Sequence, residues 1–461
     1  MWTIYTGDIT KLLLALSIFL IGCFTIALKL EKLKITLVVG LLCFLIVSMA
    51  LFFYGYLAKY RDVEEANTKK YSKTQLLSDF SSLENCIFKE NPLAFTDKNQ
   101  LRKQFDITKA NISDGMTEEE FYRLINPIVV SVKCGHTNLS ISEALVENRK
   151  ATAKFFPLEA TIKDNKIIVV ADNAQYGLKA GDEILSINGN LSQKIIDSLI
   201  QNISHDGDNT SKAYYIAGKH FNNKYYDFIE QADAFSVVLK NIEGKEYSTE
   251  AKAVYVDKYN TSAWLLHFDG LYGVDYYSYK IYDTKAVLTV RIFLQQQEKF
   301  ADFLKRFFEE VREKNIKELT IDLRGNYGGT PDMSEELLSY LITKETQYFT
   351  DDTKLPLLYK HLQGIENRIK PNTNGFDGKT TLLVDGGCFS TCGHFCAVFK
   401  QNKLGNIQGS MTGGGAACTD SSKDVILRNT GLRLHYSTQV YKVEADDSMR
   451  NGVCANLPVC G

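Results

Sequence analysis

Ser390 lies in Val384-Asp385-Gly386-Gly387-Cys388-Phe389-Ser390-Thr391-Cys392-Gly393-His394. An apolar run at 381–384, read as a buried strand, precedes it, and the apolar helix face Phe395-Cys396-Ala397-Val398-Phe399 follows. A serine at a glycine-rich strand-to-helix turn is lifted clear of the sheet. The starting helix offers free N–H groups and a positive dipole end to a developing oxyanion. Its plainer use is as a helix cap. His136, in Cys134-Gly135-His136-Thr137, carries an imidazole able to accept a proton near neutral pH, although alone it reads as a structural histidine. A third stretch is Asp322-Leu323-Arg324-Gly325-Asn326-Tyr327-Gly328-Gly329. Its glycines let the backbone approach a substrate closely; Asp322 and Arg324 read as partners of each other or of loop carbonyls. Cys388, Cys392 and Cys396 with His394 could suggest metal, but that spacing spreads ligands along a helix and cannot close a tetrahedron. No metal or cofactor is expected.

The elements that must position these residues have an α/β texture from residue 276 onward. Strands are predicted at 286–290, 319–323 and 381–384. An amphipathic helix is marked by Phe300, Phe303, Leu304, Phe307, Phe308 and Val311, and a second covers 332–341. Alternating strands and helices give mostly parallel pairing, with sites at the carboxyl ends of the strands. Gly328, Gly329 and Ser390 all fall at such ends.

Residues 156–203 are β-rich, with strands near 162 and 167–170, an Asn188-Gly189 hairpin turn and a short helix at 192–200. Before them, Thr74 is a plausible cap for a helix with Leu76, Leu77, Phe80, Leu83 and Ile87 on one face, ended by Asn91-Pro92. Thr117 caps another, with Glu118, Glu119 and Glu120 in its first turn and Pro127 ending or kinking it.

Residues 12–28 and 35–58 are apolar runs near the length that crosses a bilayer. The turn between them holds three lysines and one acid, which predicts a cytoplasmic turn with the rest of the chain outside. Eight cysteines lie beyond the spans, an even number compatible with disulfides outside the cell; Cys454 and Cys460 could close a terminal loop. The 461 residues, 45% hydrophobic and 23% charged, suit several folded units. A net charge of -2 argues for no nucleic-acid partner.

Two resemblances extend this reading. Gly177-Leu178-Lys179-Ala180-Gly181-Asp182-Glu183-Ile184-Leu185-Ser186-Ile187-Asn188-Gly189 resembles the core of a PDZ domain, which binds an extended peptide by strand addition. That implies substrate binding around Gly177, Leu178 and Gly181. The Asp322-to-Gly329 stretch resembles the signature of the carboxyl-terminal processing (tail-specific) and tricorn-like serine peptidases. The order of the His136 motif, the PDZ-like segment, the Arg324 loop, the Ser390 turn and Thr412-Gly413-Gly414-Gly415 is also similar to theirs. Tail-specific members place a lysine about 25 residues after the serine, in a Gly-Lys-Gly loop; here that place is Gly415. Lys400, Lys403 and Lys423 stand elsewhere. Tricorn-like members use a histidine before the PDZ segment, which His136 matches.

The resemblance therefore implies Ser390 as nucleophile and His136 as base. Thr391 with Gly328 or Gly329 would form the oxyanion hole. A carboxylate near the carboxyl end would orient the histidine, with Glu444, Asp446 and Asp447 available and Glu444 and Asp447 carried forward. The expected architecture is an α+β and α/β multidomain chain. It has a transmembrane hairpin (1–60), a linker (61–74), a helical unit (75–150), a PDZ-like module (151–215) and a ClpP/crotonase-like peptidase core (216–461). The expected partners are a polypeptide substrate and a membrane, in the manner of a bacterial inner-membrane protein facing the periplasm. The alternatives are an inactive peptide-binding or scaffold relative and, as one branch of the fold supports, a lipid or retinoid carrier.

Overall fold

The computed structural model describes residues 62–255, 275–354 and 367–456. Among them no helix is long and apolar enough to cross a membrane. The predicted hairpin lies outside the described residues.

The helical unit comprises α1 (Lys73–Glu90), α2 (Lys98–Ala110), α3 (Glu118–Val130) and, after the short strand β1 (Asn138–Ser140), α4 (Glu143–Thr152). Ser72, not Thr74, caps α1 and forms a capping box with Gln75. Thr117 and Glu120 form the equivalent box on α3. Pro127 neither ends nor breaks α3, which continues to Val130. The proline forfeits one bond near the helix end, while the turn beyond it buries Ile128, Val129 and Val130.

A second unit is a six-stranded antiparallel sheet. Its strands are β2 (Ala160–Lys163), β3 (Lys166–Val169), β4 (Glu183–Ile187), β5 (Asn190–Leu191), β6 (Ala234–Lys240) and β7 (Glu246–Lys252). It packs with α5 (Ser192–Ile200), α6 (Ser211–Lys219) and α7 (Phe221–Phe228). Asn188 and Gly189 both have positive φ, as the β4–β5 hairpin turn requires. The predicted boundary at 215 is corrected: it falls inside α6, and β6 and β7 belong to this sheet, so the module runs to about residue 252. A distant strand pair completes the sheet, and local pattern cannot reveal such pairing.

The third unit is a five-stranded sheet ordered β8 (Tyr277–Ile281), β9 (Lys285–Val290), β10 (Glu318–Asp322), β11 (Lys379–Val384) and β12 (Asn406–Gly409). The last four are parallel. Crossovers pass through α8 (Phe300–Glu313), α9 (Pro331–Ser339) and α10 (Thr391–Gln401). The predicted apolar stripe of α8 is buried along its whole length. Every residue of α10 from Thr391 to Phe399 is buried, so this helix is enclosed rather than amphipathic.

Beyond the sheet come β13 (Ala417–Asp420), β14 (Lys423–Ile426), β15 (Arg433–Tyr436) and β16 (Gln439–Lys442). β15 pairs with β1, setting His435 opposite Asn138. Leu427, Leu432, Leu434 and Tyr436 join the helical unit's core. The first and last parts of the described chain are thus one structure. All seven described cysteines are free thiols, and Cys460 lies outside the described residues.

Candidate active site

Ser390 stands where β11 passes into α10, with φ 54° and ψ -128°. A non-glycine residue there is strained. It occupies the cap position but its side chain makes no cap hydrogen bond. Its Oγ lies 3.1 Å from His136 Nε2, across 254 residues of sequence. The geometry therefore sets aside the cap reading. His136 follows α3 by one short turn, and its ring packs on that of Phe389, centroids 4.6 Å apart.

The glycine loop after β10 meets the same turn. Asn326 is fully buried and ties it together: its Nδ2 donates to Val290 O at 2.9 Å, its Oδ1 accepts Gly328 N–H at 2.9 Å, and its carbonyl accepts Phe389 N–H at 3.1 Å. Gly328 has φ 106°, and a Cβ there would lie 2.7 Å from Ser390 Cβ. Gly328 N–H is thus committed to Asn326. The N–H groups of Gly329 and Thr391 donate to no group among the described residues. Thr391 Oγ1 donates to Gly329 O at 2.5 Å, locking the two together. Of the three expected oxyanion donors, Gly329 and Thr391 keep that capacity. Asp322 and Arg324 form the expected pair, bidentate at 2.8 and 2.6 Å.

The carboxylates carried forward are elsewhere. Glu444 is exposed, and Asp447 is exposed beside Lys442 and Arg450; Asp446 accepts from Ser448 in its own 3-10 turn. His136 Nδ1 is buried with no hydrogen-bond partner among the described residues. Burial, the largest influence, holds the His136 imidazole down at about pKa 4; Asp420, at the end of β13, favours its protonation, and Lys212 and His435 oppose it. Asp420 went unnoticed in the sequence, where nothing sets it apart from other strand-end acids. Lys212, on α6, is the buried lysine that the site contains, and no spacing marks it either.

Gly415, where tail-specific relatives carry lysine, admits no side chain: a Cβ would run into the Met449 carbonyl and Gly452 N. Lys400 donates to Cys454 O and Lys423 to Glu90. Burial pushes the Cys388 thiol up to about 11 and those of Cys392 and Cys418 well up, so the neighbouring thiols are not thiolates at neutral pH. Among the described residues no cluster suits a metal ion.

The three residues expected to bind substrate in the module have structural places. Leu178 is buried in its core, and Gly177 and Gly181 take positive φ in the turn around it. The edge strand β2 is closely covered by α6, where a Cβ on Gly218 would lie 3.0 Å from Ile162 N.

A strained serine at a strand-to-helix turn thus has a histidine nitrogen on its hydroxyl and, among the described residues, two undonated N–H groups beside it. Residues 285–459 match peptidase family S41, so this core is that of a serine peptidase. The solved structure of mature CPAF complexed with lactacystin is similar over 84% of this chain and 94% of that chain, at 12% identity and TM-score 0.64. Mature CPAF is similar over 84% and 93%, at 12% identity and TM-score 0.62. The photosystem II D1 C-terminal processing protease aligns over 84% and 92%, at 14% identity and TM-score 0.42. At 12% identity the likeness to CPAF is one of fold. No curated protein matches the chain.

Proposed function

We propose that the protein is a membrane-anchored serine endopeptidase that cleaves polypeptides outside the cytoplasm through Ser390 and His136. The observation that carries this reading is the 3.1 Å approach of His136 Nε2 to Ser390 Oγ at a residue held at φ 54°. Ser390 Oγ attacks the scissile carbonyl carbon as His136 Nε2 takes its proton. The carbonyl oxygen, now negative, receives the N–H groups of Gly329 and Thr391. The tetrahedral adduct collapses: the C–N bond breaks, and the imidazolium returns its proton to the departing amine. Water, deprotonated by His136, then attacks the acyl ester; the C–Oγ bond breaks, the imidazolium returns its proton to Ser390 Oγ, and the new carboxyl product leaves. A neutral buried imidazole suits the first proton transfer. The field of Asp420 favours the imidazolium that follows.

Anchoring rests on the two apolar runs at 12–28 and 35–58, and the outward orientation on the lysines between them. The PDZ-like module is assigned to substrate presentation on its sequence motif; with β2 covered by α6, β7 is its open edge among the described residues. The test is fluorophosphonate labelling of the full chain in detergent. Wild type should label at Ser390, Ser390→Ala not at all, and His136→Ala slower by about 10^4-fold or more. A His136→Ala variant that labels like wild type would end this reading of the base.

A further inference from the structure

Among the described residues the histidine of this site has no carboxylate on Nδ1 to hold its ring. Something else must aim it. The residue before it, Gly135, is gripped on both polar groups of its backbone. Its N–H donates to Asp206 Oδ1 at 2.6 Å, and its carbonyl accepts from Lys212 Nζ at 2.7 Å. Lys212 spends a second donor on Ser204 O at 3.0 Å. Gly135 has no room for a side chain, because a Cβ would enter the ring of Phe389, the neighbour of Ser390. That ring in turn lies under the Lys212 ammonium, 4.4 Å from Nζ to the centroid.

Asp206 and Lys212 are 0% and 3% exposed, and Asp206 Oδ2 has no hydrogen-bond partner among the described residues. Two charged groups kept out of water, one incompletely bonded, are a poor device for stability, since apolar residues of similar volume serve a fold as well. They mark a place where position matters. We propose that Asp206 and Lys212 are positioning residues, which clamp the Gly135 backbone from opposite sides and so aim His136 at Ser390. This inference rests on the Ser390–His136 reading.

The clamp also acts through charge. The groups facing His136 are Asp420, which favours its protonation, and Lys212 and His435, which oppose it; His394 lies close enough to feel it. Removing the Lys212 charge therefore raises the pH at which His136 takes a proton. The limb thus reads the charge of Lys212, and the rate at neutral pH, where His136 is unprotonated with or without that charge, reads its aim.

The experiment is fluorophosphonate labelling rate against pH for the full chain, in wild type, Lys212→Met, Asp206→Asn and the double variant, with melting temperature measured on each. Asp206→Asn keeps an acceptor for Gly135 N–H. The double variant removes both buried charges at nearly constant volume, so it keeps the fold if Lys212→Met alone does not. Lys212→Met and the double variant should label about 100-fold more slowly at neutral pH, with the acid limb of Lys212→Met displaced to higher pH; Asp206→Asn should fall between them and wild type in rate, with its acid limb not displaced upward. Wild-type rates and an unmoved acid limb would overturn the clamp while leaving the Ser390–His136 reading intact. So would rates that fall only as the folded fraction falls. Labelling indifferent to His136→Ala would instead remove the reading beneath it.

Discussion

At the scale of single residues, the site works by withholding the ordinary partners of its groups. Among the described residues Ser390 occupies a cap position and caps nothing; His136 has one nitrogen on the serine and the other on no partner; Gly329 and Thr391 keep their N–H groups undonated. Unspent polar groups in a buried place are costly, and they persist where chemistry will use them. Two outcomes follow. In the proposed mechanism the active form of His136 is the unprotonated one, and burial holds its pKa at about 4, below the ordinary 6.5. The acid limb of labelling should therefore lie well below pH 6.5, toward 4, when rates are measured from pH 3.5 to 8. Gly328→Ala would set a methyl 2.7 Å from Ser390 Cβ at φ 106°. Its labelling should fall about 100-fold, out of proportion to any change in melting temperature.

At the scale of elements, burial decides what the local pattern leaves open. The stripe of α8, the hairpin turn at Asn188-Gly189 and the helix at 192–200 are legible because each is written in neighbouring residues. Ser390, His136 and the glycine loop were legible as candidates through motif chemistry and order. The ends of the module were not, because β6 and β7 join its sheet from about fifty residues away. Lys212 and Asp420 were not, because their meaning comes only from what folding places beside them. One element carries its own test. Glu118, at the start of α3, is buried and accepts both the N–H and the hydroxyl of Ser142, the cap of α4, at 2.6 and 2.7 Å. Burial, outweighing those bonds, raises its pKa from the ordinary 4.5 to about 7. The unfolded chain ionises Glu118 first, so this group's contribution to stability is whole below pH 4.5 and is lost as pH rises through 7. Relative to Glu118→Gln, wild type should lose about 3 kcal/mol across that range in urea denaturation.

At the scale of the whole molecule, the two halves of the site ride on different ends of the chain. β1 pairs with β15, and Asp79 of α1, fully buried, accepts from the backbone of Asn429 and Thr430 and from both their side chains. Asp79→Ala would leave several donors unpaired, and should cost about 3 kcal/mol or more in denaturation. Labelling should fall with it, because β1 begins two residues after His136.

The pairing of β1 with β15 also orders events in time. As the chain leaves the ribosome, His136 emerges early and waits. The strand that seats its segment comes near the end. A nascent chain therefore holds a histidine without its serine, and then a serine whose surroundings are unfinished. Hydrolytic power arrives only with the completed fold, so the hazard of a protease attacking its own half-made copies is removed by the path of the chain itself.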